Sequence, residues 1–491
     1  MFVLGIDFGG GSSKATLIDE TGRIRSEANA EYPTLHPSYG AAEQNPSDWI
    51  EALCRNTHAL LKESGVSAGE IAAVAVDSAT HTSLLCDESF RPLRPAIHWT
   101  DTRSVKEAFA LCGERGEEIF KKAFHYPDPI WTLPQLLWLK EQEPETYARA
   151  RYLFFEKDYI RYFLTGEYMT DRIEAVGSML YDCVRGDWDD SLLTLCGLSP
   201  EMLPPVMEPL DPAGKVTLEA AHATGLAAGT PVILGTTDTA LEIFAAGAVE
   251  KGDMTIKLAT AGRLCVVTDG PFPDRHLVNY PHVMRGLWYP GAATKAAASS
   301  YRWYRDTFGG DYKTLDEDAA RVPAGAEGLM FHPYLAGELT PYGDPSLSGS
   351  FTGIRTHHTK AHFSRAVLEG VAFSLMDCMQ YLERLQLPHK DKAILIGGGA
   401  KSPLWQQILS DVLGIRLSVA SSGDSSLGAA MLAGVSAGFF IDEKEAAAVC
   451  SRMSSEVLPD ETRHAGYMEL FEGYCAIHDA LEPVYNGGIF L

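Results

Sequence analysis

The sequence is poor in cations and has no paired-cysteine motif and no long apolar run. Forty-one Lys and Arg stand against sixty-five Asp and Glu in 491 residues, a formal charge of −24. That balance argues against a nucleic-acid footprint and against attraction to an anionic membrane surface. The nine cysteines are scattered, odd in number and never spaced C-x-x-C, which fits reduced packing thiols rather than a disulfide framework or a zinc site. No segment approaches the roughly 18 uninterrupted apolar residues of a membrane span. Asp7 breaks the first apolar run far short of a signal-peptide core, and no basic leader precedes it. The expectation is a soluble cytoplasmic protein with neither nucleic acid nor membrane as partner. Two phosphate signatures are missing as well. No G-x-x-x-x-G-K-[ST] stretch occurs, and no strand runs into G-x-G-x-x-G with an acidic partner, so P-loop kinases and nicotinamide enzymes are set aside.

The composition that remains, 46% hydrophobic and 22% charged, is that of an ordinary folded chain. Its length exceeds what one core supports, so two domains are expected, at 1–247 and 248–491.

The first twenty residues read as a β-hairpin. An apolar run from Phe2 to Ile6 leads through Asp7 to Gly9-Gly10-Gly11-Ser12-Ser13, then Lys14, a second apolar run to Ile18, and Asp19. The loop carries little side chain, so the backbone N–H groups around Gly10, Gly11 and Ser12 are free to face an anion. Asp7 could reach Mg²⁺ directly or through water. The same residues also fit a plain hairpin with a capping aspartate.

Met254 to Leu258, Ala259-Thr260-Ala261-Gly262 and Arg263 to Val267 repeat this strand, turn, strand pattern about half a chain later. Two domains of one ancestral design, gripping one nucleotide from both sides, would explain the repeat. Between them, Val232-Ile233-Leu234 runs into Gly235-Thr236-Thr237-Asp238-Thr239. Asp238 therefore lies just past a strand's carboxyl end, where open α/β sheets carry their chemistry.

Ile71 to Val76 is another buried strand, leading to Asp77-Ser78-Ala79-Thr80-His81. Later, Ala393 to Ile396 enters Gly397-Gly398-Gly399-Ala400 ahead of a helical run from Trp405. That is either an anion or nucleotide platform or a tight strand-to-helix connection. Phe363, Val367, Val371, Leu375 and Met379 recur every fourth residue beside the small stripe Ala366, Gly370 and Ser374, marking a closely packed core helix. Helical segments near Glu443 to Met453 and Tyr467 to Leu481 offer surface for a homodimer.

Taken together these segments resemble the FGGY family of carbohydrate kinases over nearly the whole chain. Gly349, Phe351, Gly353-Ile354, a seven-residue spacer, His362-Phe363 and Ala366-Val367-Leu368-Glu369 fit its C-terminal signature, and Leu427-Gly428-Ala429-Ala430 resembles the segment after the adenosine site. Similarity to xylulokinase-like members lies in Pro95 to Asp101, Lys157-Asp158-Tyr159, Thr165-Gly166-Glu167 and Pro333 to Glu338. Departures are Thr80 where methionine is usual, Gln135 for lysine and Ala259 for glycine.

The resemblance implies an α/β chain of two actin/hexokinase-like (ribonuclease H-like) domains with an intervening catalytic cleft. It implies transfer of the γ-phosphate of MgATP to a hydroxyl of a small sugar, D-xylulose first, with gluconate, ribulose or another ketose or polyol as alternatives. A non-catalytic sugar or nucleotide sensor is the reading from a different class. Asp238 would be the base. Thr80, His81, Trp99, Asp101 and Thr239 would join it around the sugar, and Asp7 would orient the metal ion. Gly10, Gly11, Ser12, Ser13, Lys14, Thr260 and Gly262 would contact the phosphates, and Gly398, Gly399 and Ala400 would border the adenosine.

Overall fold

The computed structural model describes residues 1–487, which form two compact units. The first consists of Met1–Val249, Tyr280–Leu287 and Gly423–Ser451; the second of Glu250–Asn279, Trp288–Ser422 and the chain from Arg452. The first unit's leading segment ends at Val249. Two later segments, 280–287 and 423–451, pack with the first unit.

Each unit is built on a six-stranded mixed sheet. In the first, β1 (Phe2–Phe8), β2 (Ser12–Asp19) and β3 (Ile24–Glu31) form an antiparallel meander, β4 (Ile71–Ser78) lies parallel to β1, and β6 (Pro231–Ile233) lies parallel to β4. The edge strand β5 (Pro212–Lys215) is antiparallel to β6.

The second unit repeats this pattern strand for strand. β7 (Met254–Leu258), β8 (Gly262–Val266) and β9 (Gly291–Thr294) form the meander, and β10 (Lys392–Ile396) and β11 (Arg416–Ala420) follow in parallel. The antiparallel edge strand is β12 (Met453–Val457). The repeat inferred from two glycine turns thus extends to the whole sheet order.

Apart from Asp7, β1 carries no polar side chain, because both of its faces are covered. Leu4, Ile6 and Phe8 join Trp49, Ala52, Leu53 and Leu60 of the helix Pro46–Ser64 in one core. Gly5, on the opposite face, meets the helix Ser425–Ser436 so closely that a Cβ there would lie 2.0 Å from the Ser426 carbonyl oxygen and 2.2 Å from the Ala430 nitrogen. Strand side chains alternate, so Asp7 shares the Gly5 face and sits by that helix's first turn. The Leu427-Gly428-Ala429-Ala430 signature belongs to this helix, and Gly428 in turn admits the Leu241 backbone.

In the second unit the long helix Lys360–Arg384 is core, as its periodicity predicts, with Val367, Val371, Leu375 and Met379 all buried. The segment expected to be helical over Glu443 to Met453 is shorter: the helix ends at Cys450 and Met453 begins β12. The last expected helix spans Glu461–Asn486. Among the described residues no helix is long and apolar enough to cross a membrane.

Candidate active site

Three aspartates mark the carboxyl ends of three neighbouring parallel strands in the first unit. Asp7 lies near the end of β1, Asp77 is its register partner near the end of β4, and Asp238 opens the helix Asp238–Ala245 after β6. Burial pushes the Asp7 carboxyl up to about 7, opposed by its contact with Asp77 and reinforced by the charge of Asp238. Asp77 is driven well above the ordinary carboxylate range, first by burial and then by the Asp7 charge. Asp7 Oδ1 and both Asp77 oxygens have no hydrogen bond of normal geometry, although the Ser425 hydroxyl is near enough to favour their charged forms. Buried acceptors without donors are expensive in a folded protein unless a cation or ligand completes them.

The glycine loop beside Asp7 has a fixed polarity. The Tyr32 hydroxyl donates to the Gly9 carbonyl, and the Thr34 hydroxyl donates to the Gly10 carbonyl. In a planar trans peptide the next N–H points the opposite way, so the Gly10 and Gly11 amides are turned from those hydroxyls toward open space. Both glycines are exposed, and their amides are available to an anion. Ser12 begins β2, while Ser13 is buried and its hydroxyl accepts a hydrogen bond from Asn56 at 3.0 Å.

Lys14 is already engaged, with Nζ 2.6 Å from Glu27 and 2.5 Å from Asp424. Burial pulls its pKa down, but these carboxylates more than offset that and hold it raised. Its geometry is that of an internal tie rather than a free phosphate ligand. Lys14→Met should therefore cost about 0.5–1 kcal/mol of stability and leave the nucleotide KM unchanged; a sharply raised KM would restore the phosphate role.

Of the residues expected around the sugar, His81 is buried in a left-handed backbone conformation (φ 55°), and its N–H donates to Glu174 at 2.5 Å. Its ring packs 4.9 Å from Trp131, which in turn packs on His125 and Tyr280. Thr80 adjoins Gly177, where an added Cβ would lie 2.4 Å from the Thr80 methyl group. Trp99 is 40% exposed. Asp101 is buried and committed elsewhere, accepting from the Ala42 amide at 2.8 Å and pairing with Arg103 at 2.8 Å. Thr239, in the first turn after Thr237, directs its N–H to Asp238 at 2.6 Å.

His125 supplies a pH test of this packing. Burial depresses its imidazole to about 4, with its contact to the Ala123 carbonyl opposing the shift. The unfolded histidine takes up a proton near pH 6.5 and the folded one only near 4, so its contribution to stability is lost as pH falls through that window. His125→Phe should flatten the pH dependence of unfolding between about pH 4.5 and 6 by one proton, about 1.4 kcal/mol per pH unit. Parallel slopes for the two proteins would contradict this.

In the second unit a cleft of about 830 Å³ is lined by Thr260, Gly398 and Gly399, with Tyr301, Tyr312 and Trp405 as aromatic walls and Arg302, Lys313 and Lys401 as cations. Gly397 (φ 96°) and Gly399 let this turn close on the hairpin, since a Cβ on either would lie 2.6–2.7 Å from Leu258. The Thr260 carbonyl accepts from the Ala297 amide at 3.0 Å and the Ser299 hydroxyl at 2.7 Å. The Ala261 N–H is thereby turned away from them. Gly262 and Ala400 are packing positions: Gly262 admits Thr294 and Leu375, and Ala400 is buried.

The N-terminal domain model of the FGGY family of carbohydrate kinases matches residues 2–245, and its C-terminal domain model matches residues 256–437. The chain belongs to the FGGY family of carbohydrate kinases. It is 32% identical to a xylulose kinase of Lactococcus lactis, over 96% of this chain and 95% of that one. Among solved structures, a xylulose kinase from Rhodospirillum rubrum superimposes with a TM-score of 0.92 at 28% identity, covering 99% of this kinase and 100% of the other. A gluconate kinase from Lactobacillus acidophilus gives 0.91 at 26% identity, covering 99% of each chain. The kinase thus has the two-domain actin/hexokinase-like α/β fold and is a phosphotransferase acting on a sugar.

Asp77, Glu174 and His98 were not among the site residues expected from sequence. Asp77 had a usable signal, an aspartate at the end of an apolar strand just as Asp238 is. Glu174 gave none, because its contact with His81 is distant in sequence, and His98 lies within the Pro95 to Asp101 similarity without a role of its own. His98 Nδ1 lies 2.8 Å from the Thr100 hydroxyl, its buried Nε2 has no partner, and its ring edge lies 3.4–3.5 Å from where a Gly10 Cβ would stand.

Proposed function

We propose that this kinase phosphorylates D-xylulose to D-xylulose 5-phosphate at the expense of ATP. The observation that carries the reading is the row of Asp7, Asp77 and Asp238 on adjacent strand ends, beside a glycine loop with two outward amides. Phosphoryl transfer asks a protein for alignment, charge neutralisation and a proton acceptor rather than a covalent partner. Asp238 accepts the proton of the attacking sugar hydroxyl. A carboxylate is a weak base toward an alcohol, so the proton moves late, after the bond to the leaving group has loosened. The Gly10 and Gly11 amides donate to phosphate oxygens, and the aromatic cleft with Gly398 and Gly399 holds the adenosine. His81, Thr80, Trp99 and Thr239 surround the sugar.

The orphaned oxygens of Asp7 and Asp77 suit Mg²⁺, held directly or through water. Among the described residues no three His, Cys, Asp or Glu side chains form a metal cage. Mg²⁺ characteristically keeps several waters and takes its other ligands from phosphate. When bound, Mg²⁺ neutralises charge on the phosphates and fixes their orientation.

A substrate panel tests the sugar. Turnover should be fastest on D-xylulose, with ribulose and polyols slower. Activity on gluconate without activity on D-xylulose would replace the substrate while keeping the reaction class. No turnover on any ketose, polyol or aldonate would favour a sensor.

A further inference from the structure

Beneath the Asp238 loop lies a fully buried charge cluster that the mechanism does not use. Lys157 Nζ lies 2.5 Å from Asp158 and 2.8 Å from Asp171, and Arg161 lies 3.2 Å from Asp158, with no solvent exposure of any of the four side chains. Two cations face these two carboxylates, with the buried Glu174 carboxyl close enough for its charge to act on Lys157, and such interior charge is tolerated when paired. Replacing such a cluster with apolar side chains is often neutral for stability, so its retention invites a functional explanation.

Asp171 is the member that reaches outward, along two arms. Its Oδ1 accepts the Thr236 hydroxyl at 2.7 Å, two residues before Asp238. The same oxygen caps the helix Arg172–Gly177, accepting from the Ile173 amide at 2.9 Å and the Glu174 amide at 3.3 Å. Glu174 then holds the His81 amide, where the backbone is strained at φ 55°. A single carboxylate oxygen therefore restrains both the segment entering Asp238 and the segment carrying His81. Asp171's other oxygen lies 2.8 Å from Lys157 Nζ, an ion pair without a hydrogen bond of normal geometry, while its Oδ1 takes all three donors.

We propose that Asp171, paired with Lys157, is a positioning residue that sets the distance between the base loop and the sugar loop. The inference rests on the reading of Asp238 as base. Asp171 touches neither substrate; it acts through Thr236 on one side and Glu174 on the other. Catalytic groups must be held to within about 0.5 Å by neighbours whose own geometry is locked, and a buried ion pair with a shared acceptor meets that need.

Thr236→Val tests the arm to Asp238, because it removes one hydroxyl while Asp171 keeps its two amide donors. In the otherwise wild-type kinase, kcat should fall by about 10- to 100-fold, with the nucleotide KM unchanged. Thr236→Ser should restore most of the loss. In an Asp238→Asn background the same change should cost nothing further, since the arm acts through that carboxylate. If Thr236→Val does not fold, Thr236→Ala carries the same comparison. A wild-type kcat with only a lowered Tm, or an equal loss in both backgrounds, overturns the proposal. If Asp238→Asn alone keeps full activity, the base reading is what has failed.

Discussion

Asp238→Asn should lower kcat by about 10²–10⁴-fold while leaving the sugar and nucleotide KM values close to those of the wild type. The substitution keeps the size of the side chain, and the amide oxygen can still receive the Thr239 N–H now bonded to Asp238 at 2.6 Å. Only the proton-accepting capacity is removed. An interaction realised in the transition state but not in the ground state appears in kcat rather than KM. The check is steady-state kinetics at saturating nucleotide, with circular dichroism confirming that the variant folds. A loss confined to KM would make Asp238 a sugar ligand, and an unchanged kcat would make it a helix-end residue without a chemical role.

The second large effect is on folding. Gly5→Val should destabilise the first unit by about 3 kcal/mol or more, because the added carbons would meet Ser426 and Ala430 backbone at 2.0–2.2 Å. Those atoms belong to the helix Ser425–Ser436 and cannot swing aside as the end of a flexible side chain could. The helix would have to lift from β1, taking Ser425 away from the Asp7 carboxyl. Lower soluble yield, an earlier thermal transition and loss of activity should appear together. Gly69→Ala is the control, since nothing lies within 4 Å of a Cβ there. Wild-type stability in Gly5→Val would mean that this helix does not pack on β1 as described.

Much of the fold was legible because it is written in local pattern. Apolar runs ending in small-residue turns at Gly9 and Ala259 announced the two hairpins, and their likeness pointed to two domains of one design. The four-residue spacing from Phe363 to Met379 announced the core helix. The return of residues 423–451 to the first unit was not legible, because nothing local to Ser425–Ser436 says which sheet it covers; only the absence of a side chain at Gly5, 420 positions away, matches it.

The site divided along the same line. Asp7, Asp238, Thr260, Gly398 and Gly399 stand at strand ends or turns, positions that a sequence can point to; Thr260, Gly398 and Gly399 line the cleft, Asp238 is half-buried and the Asp7 Oδ1 is buried. Lys14 and Asp101 carry suitable charge but are committed to Asp424 and Arg103, partners 410 positions away in one case and two in the other. Charge type can be read from a sequence, whereas prior engagement depends on packing. Asp171 and Glu174 were missed for the converse reason: their role lies in what they hold.

The most direct test of the account is the fate of the γ-phosphate, followed by ³¹P NMR with ATP, Mg²⁺ and D-xylulose. The account predicts a growing sugar phosphomonoester resonance in step with ADP, dependent on the sugar and nearly abolished in Asp238→Asn. ATP left intact with every ketose, polyol and aldonate tried, or converted only to ADP and inorganic phosphate, would contradict it.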